Sequence, residues 1–199
     1  MYHFSVAHLK MPLDKIQTLW MDHYYAEHLR KPKKNTVSVQ RTHLAIFNDV
    51  PWIAGLKLQP ISAFFGVTPP HSIMPPHRDP SSNPVVIEKG FDYHPWAMNI
   101  PLTCDMGSQM RWHRVKPGHT TRLDGAGHSP YNNVRVPMAD EENLVEMASV
   151  CLDRPMLVNT FEWHSVSNET DQIRLIFSLR FDPIMTLPQA ARLFTSMLP

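Results

Sequence analysis

Cysteine, glycine and net charge are all scarce in this chain, and no apolar run is long enough to cross a bilayer. Two cysteines, Cys104 and Cys151, are too few for a disulfide framework. Each sits in an apolar, strand-like segment, where free cysteine behaves as a small hydrophobe. A reducing cytoplasm is the expected compartment. A net charge of +1 supplies no field to gather nucleic acid or an acidic substrate. Arg30 with Lys31, Lys33 and Lys34 reads as a solvated turn. The N-terminus lacks the uninterrupted apolar stretch of a signal peptide. Neither nucleic-acid nor membrane binding is therefore expected. Against seven glycines stand 19 prolines, a ratio that fits many short strands and loops ended and edged by proline.

A chain of 199 residues suits one domain with a substantial core. Leu13, Ile16, Trp20 and Tyr24 recur at helical spacing and predict a helix from Pro12 to about Leu29, with Pro12 suited to its first turn. Val37, Val39 and Leu44 to Phe47 form either a short strand or a docking segment. Ile61 to Val67 reads as a strand, and Ile73-Met74-Pro75-Pro76 as an edge or strand end. Residues 80–92 are polar and loop-like. Trp96 to Thr103 and Gln109 to Val115 predict a hairpin around Asp105-Met106-Gly107-Ser108. Leu144 to Leu152, Met156 to Thr160, Phe161 to Ser167 and Ile173 to Phe181 complete the strands, and Leu187 to Leu198 reads as a closing helix. Many short strands with flanking terminal helices predict a mainly β fold, a double-sheet jelly roll of cupin type.

Among 12 histidines, His77-Arg78-Asp79 forms the single His-x-Asp or His-x-Glu of the sequence. Residues two apart on a strand point to one face, so His77 and Asp79 can share one ion. His164, in a later apolar segment, is the third candidate ligand. Two imidazoles and a carboxylate on one side of a metal leave the opposite positions open, the facial arrangement of non-haem Fe(II) oxygenases. Ten residues on, Arg174 lies in an apolar run, and a buried guanidinium fork suits a carboxylate ligand. If Glu169 centres a hairpin, His164 pairs across from Arg174, with Cβ atoms about 5 Å apart. By alternation Ser178 then also faces inward, as a second donor or a small filler. Arg180 lies six residues beyond Arg174, roughly 20 Å along an extended strand, which on this register removes it from the metal.

Pro155 to Asn168, followed by Ile173 to Phe181, resembles the C-terminal half of the Fe(II)/2-oxoglutarate oxygenase core. His77-Arg78-Asp79 and Asn99-Ile100-Pro101-Leu102 resemble the aspartyl/asparaginyl β-hydroxylase branch and its phage and bacterial relatives. The likeness spans residues 60–182 and implies a double-stranded β-helix. It also implies Fe(II) on His77, Asp79 and His164, 2-oxoglutarate and O₂ as co-substrates, and hydroxylation of an amino-acid side chain, in a protein or free. Arg174 would hold the far carboxylate of the co-substrate. Asn99 stands where that branch commonly has a co-substrate-contacting histidine, so its role is either that contact or strand polarity. Arg111 and Trp112 lie within possible reach of a substrate, although a tryptophan there also serves as core. His113, His119 and His128 read as solvated.

Two other readings compete. One is a metal-dependent hydrolase or isomerase on a cupin-like barrel, which needs a general base and no O₂. The other is a non-catalytic jelly-roll binding module, for which three intact ligands have no evident use. Lys116 to Asp140, rich in glycine and proline, is long for a connection inside a compact domain and reads either as a lid over the barrel mouth that orders on substrate binding or as an ordinary surface excursion.

Overall fold

The computed structural model of the chain describes residues 1–30, 36–79, 94–103, 107–119 and 141–197. The loop expected at residues 80–92, Cys104, His128 and the proposed lid beyond His119 lie outside the described residues.

Among the described residues, ten strands form two antiparallel sheets. They are β1 (His3–Ser5), β2 (Thr36–Ser38), β3 (Gln59–Thr68), β4 (Ser72–His77), β5 (Ala97–Pro101), β6 (Ser108–Val115), β7 (Leu144–Cys151), β8 (Met156–Val158), β9 (Trp163–Asn168) and β10 (Arg174–Asp182). The six-stranded sheet runs β1-β8-β5-β10-β3-β2, and the four-stranded sheet runs β4-β9-β6-β7. From β3 to β10 most successive strands lie in opposite sheets, which is the double-sheet jelly roll expected from the strand pattern.

The N-terminal helical run is α1 (Leu13–Leu19), a π-helical turn at Trp20–Tyr24, and α2 (Tyr25–Arg30). The apolar spacing expected over residues 12–29 is thus realised, with the extra residue of a π-bulge inserted. Trp20 and Tyr24 are both buried, and both pack on the Phe65 ring, at centroid distances of 4.9 and 5.4 Å. The ambiguous stretch after it resolves into β2 and a 3-10 helix at Arg41–Phe47. Short α3 (Pro51–Gly55) and closing α4 (Leu187–Thr195) complete the helical layer. A capping box opens α4: Gln189 reaches back to the Thr186 backbone N–H at 2.8 Å.

The central pair β3 and β10 explains where the core sits. One face carries Ala63, Phe65, Val67, Phe177 and Leu179, buried with Trp20, Tyr24, Phe47 and Trp52 of the helical layer. The opposite face carries Arg174, Ile176, Ser178 and Arg180, opposite Thr68, Gly66, Phe64 and Ser62. Gly66 is required there by close approach, since a Cβ would lie 2.9 Å from Cγ1 of Ile176. The larger core therefore lies between the six-stranded sheet and the helices. A smaller cluster of Ala97, Met110, Trp112, Leu152, Met156, Val158 and Val166 joins the two sheets. Apart from Ile176, the inter-sheet face of β10 is polar and buried.

Two pairings expected from the sequence are not formed. β5 pairs with β8 and β10, whereas β6 pairs with β7 and β9, so residues 96–115 cross between sheets instead of forming a hairpin. Likewise β9 pairs with β4 and β6, and β10 with β3 and β5. His164 therefore does not pair with Arg174; its cross-strand neighbours are His77 and Trp112. The cause is the β9–β10 turn. Buried Asn168 donates through Nδ2 to the carbonyls of Thr68 (3.0 Å), Pro69 (3.0 Å) and Gln172 (2.7 Å), which folds the chain over onto the other sheet.

Candidate metal centre

His77 ends β4, an edge strand of the smaller sheet, where Pro75 and Pro76 remove no ladder bond from an interior strand. The β4–β9 register shifts between Met74 and His77, and His77 still aligns with His164. Asp79 lies just past the strand, and its backbone is held on both sides. Its N–H donates to the Thr160 carbonyl at 3.3 Å, and its carbonyl accepts from the His94 N–H at 3.0 Å. The Thr160 hydroxyl donates to the His94 carbonyl at 2.8 Å, which closes the clasp.

One ligand atom from each of His77, Asp79 and His164 falls within 4.8 Å of the others. Oδ1 of Asp79 is 3.6 Å from Nε2 of His77 and 3.7 Å from Nε2 of His164. Ligands at about 2.1 Å from an ion and at right angles stand about 3.0 Å apart, so Oδ1 of Asp79 lies only about 0.6–0.7 Å beyond that spacing from each imidazole nitrogen. The tautomers also fit. Nδ1–H of His77 donates to the Pro75 carbonyl at 2.8 Å, and Nδ1–H of His164 to the Glu162 carbonyl at 2.9 Å. Each Nε2 is thereby left as a lone pair aimed at the shared point, which is how an outer partner orients a ligating histidine.

Electrostatics favour the ligating states. Burial, the neighbouring His77 and Arg180 push His164 down to about 4 against the opposing pull of Asp79, so the ring is neutral at neutral pH. Burial alone would raise Asp79, but the charges of His164, Arg180 and His77 outweigh it and hold the carboxyl below the usual carboxylate range. Because His164 is neutral above its lowered pKa, the permanent counter-charge is Arg180. Nη2 of Arg180 donates to Oδ2 of Asp79 at 2.5 Å, and Nη1 donates to the Ser178 hydroxyl at 2.6 Å. Ser178 in turn donates to Oδ1 of Asn99 at 2.7 Å. Arg180 is 1% exposed, and its guanidinium also lies 5.3 Å over the Phe64 ring.

The sequence-level candidates thus separate. His77, Asp79 and His164 converge. Asn99 and Ser178 join the same network, linked through Arg180. Arg174 is buried at the opposite end of β10, with Nη1 3.4 Å from the Thr68 hydroxyl. Arg180 lies beside Asp79 and not apart from the candidate ligands, because the hairpin from which its distance follows does not form. With the chain crossing sheets, Arg180, not Arg174, meets the candidate ligand Asp79. Trp112 is core, with its indole N–H on the Asn159 carbonyl at 2.7 Å. Arg111 faces away, bonded to Ser167 and Glu169, and His113 bonds the Ser165 hydroxyl at 2.8 Å.

His94 was missed. It is 2% exposed, and burial reinforced by Arg180 pushes it down to about 3 against the opposing charge of Asp79. It stands in a stretch without periodicity, so only the backbone contact to Asp79 reveals it.

No family model matches the chain, and no curated protein matches it. Solved structures do. A non-heme monooxygenase, ThoJ in its apo form, is 15% identical over 92% of this chain and 75% of its own, with a TM-score of 0.47. HygX from Streptomyces hygroscopicus with iron bound is 12% identical over 91% of this chain and 81% of its own, at 0.42. A Pseudomonas putida prolyl-4-hydroxylase is 14% identical over 90% of each chain, at 0.40.

Proposed function

We propose that the protein is an Fe(II)- and 2-oxoglutarate-dependent dioxygenase that hydroxylates a C–H bond, resembling the aspartyl/asparaginyl β-hydroxylase branch. The observation that carries this reading is the convergence of His77, Asp79 and His164 with both Nε2 atoms free to bind. Neutral imidazoles and one carboxylate leave open positions for oxygen chemistry on a divalent iron. Iron bound there with the co-substrate supplies the oxidation, the co-substrate leaving as succinate and CO₂.

Arg180 already offsets Asp79, and His164 is neutral, so the charge of a divalent ion favours an anionic co-substrate. Arg174 and Arg180 lie on one inter-sheet face with Ile176 and Ser178 between them. In this reading Asn99 and Ser178, joined to Arg180, line the wall of the co-substrate site, and the apolar helical layer keeps water from the back of the sheet. The substrate is an amino-acid side chain, in a protein or free.

The test is succinate release with purified, iron-loaded protein and a panel of peptides and free amino acids. Release should require iron, O₂ and 2-oxoglutarate together. Metal binding without any succinate would instead favour hydrolase or isomerase chemistry on the same barrel.

A further inference from the structure

We infer that Arg180 is a positioning residue that makes Asp79 a one-oxygen ligand. The inference rests on the metal site of the reading above and not on its co-substrate. A carboxylate can bind an ion through one oxygen or both. Here the two oxygens of Asp79 face different partners. Oδ1 faces Nε2 of His77 and of His164, whereas Oδ2 accepts from Nη2 of Arg180 at 2.5 Å.

The arginine has little freedom to leave. It is 1% exposed, its other terminal nitrogen is held by Ser178, Ser178 is held by Asn99, and its plane lies over Phe64. Four residues on three strands thus fix the rotation of one carboxylate. Asn99 comes from β5, Ser178 and Arg180 from β10, and Phe64 from β3. With Oδ2 capped, Asp79 contributes one ligand, and a six-coordinate ion keeps three exchangeable positions. With Oδ2 released, the second oxygen is free to take one of them. The network therefore preserves room for a chelating co-substrate and one more small ligand, and its neighbour Asn99 is recruited to the same task.

The test uses Mn(II) alone, without 2-oxoglutarate or O₂, and reads water-proton relaxation of the metal-loaded full chain. This separates it from the succinate assay, which tests the reaction. Arg180→Met should still bind Mn(II), and its per-ion relaxation enhancement should fall by about a third, as three exchangeable waters become two. Arg180→Gln and Arg180→Lys, which keep a donor for Oδ2, should stay near the wild-type value. Enhancement unchanged in Arg180→Met would overturn the inference, and so would an equal fall in the Gln and Lys variants. Where Arg180→Met does not fold, Ser178→Ala carries the test. By untethering the guanidinium it should give an enhancement between those of two and three waters, and a wild-type value there would overturn the inference.

Discussion

A histidine binds a metal only in its neutral form, and burial is what keeps His164 and His94 neutral. Both are depressed, to about 4 and about 3, from an ordinary value of 6.5. Their folded pKa values lie below the unfolded ones, so the unfolded chain binds more protons between them. Stability is therefore full above pH 6.5 and is lost as pH falls through that value towards 4, by up to about 1.4 kcal/mol per pH unit for each histidine. Urea titration of the metal-free protein should give a midpoint that is flat near pH 7–8 and declines between pH 6.5 and 5. His94→Asn should flatten that decline by about half, as one of two coupled protons is removed. A midpoint independent of pH from 7 to 5 would contradict the burial of both rings.

Elements show how one strand serves two purposes. β10 presents Phe177 and Leu179 to the helices, and Ser178 and Arg180 to the site. Period-two alternation converts a nearly continuous buried strand into a wall with an apolar back and a polar front. Its entry is set by Asn168, which is 1% exposed and donates to three carbonyls while its Oδ1 accepts from the Thr170 hydroxyl at 2.8 Å. Asn168→Ala should cost about 2–4 kcal/mol, because the buried Thr68 carbonyl and the part-buried contacts to Pro69 and Gln172 lose their donor at once. Chemical denaturation measures the loss. Asn168→Asp should be nearly as damaging, since a carboxylate cannot donate to those carbonyls. A loss under 1 kcal/mol would show that the crossover is held by strand pairing alone.

For the whole molecule, the division of cores matters most. The larger cluster lies between the six-stranded sheet and the helices, and the smaller one joins the sheets beside the candidate metal centre. The fold can therefore spend part of its interior on buried polar groups without losing its main source of apolar burial. Closing the ligand triad with an ion should stabilise the native state alone. At one hundred times its dissociation constant, Mn(II) or Fe(II) adds about 2.7 kcal/mol. For a chain of this size that is about 5–10 °C in Tm. Scanning calorimetry with and without chelator measures the shift, and Asp79→Asn or His164→Ala should abolish it. A shift that survives both substitutions would place the ion elsewhere. No helix among the described residues is long and apolar enough to cross a membrane.

Local chemistry was legible in the chain itself. The spacing of Leu13, Ile16, Trp20 and Tyr24 specified a helix, and all of them but Leu13 are buried; apolar and β-branched content specified most strands, and the prolines marked β4 as an edge. His77-Arg78-Asp79 announced a shared face because side-chain direction has period two. Those properties depend on neighbours a few residues apart. What only the tertiary structure decided was which strands pair and which stack. Two successive strands read alike whether their connection turns within a sheet or folds over to the other. Asn168 chose the second, through carbonyls of Thr68 and Pro69 that lie far away in the chain. That one crossing moved Arg180 onto Asp79 and carried Arg174 to the far end of the strand. It brought Ser178 and Asn99 into a single network, and the backbone clasp on Asp79 added His94 beside it, because long-range pairing, unlike local spacing, is set by how the whole chain buries its surfaces.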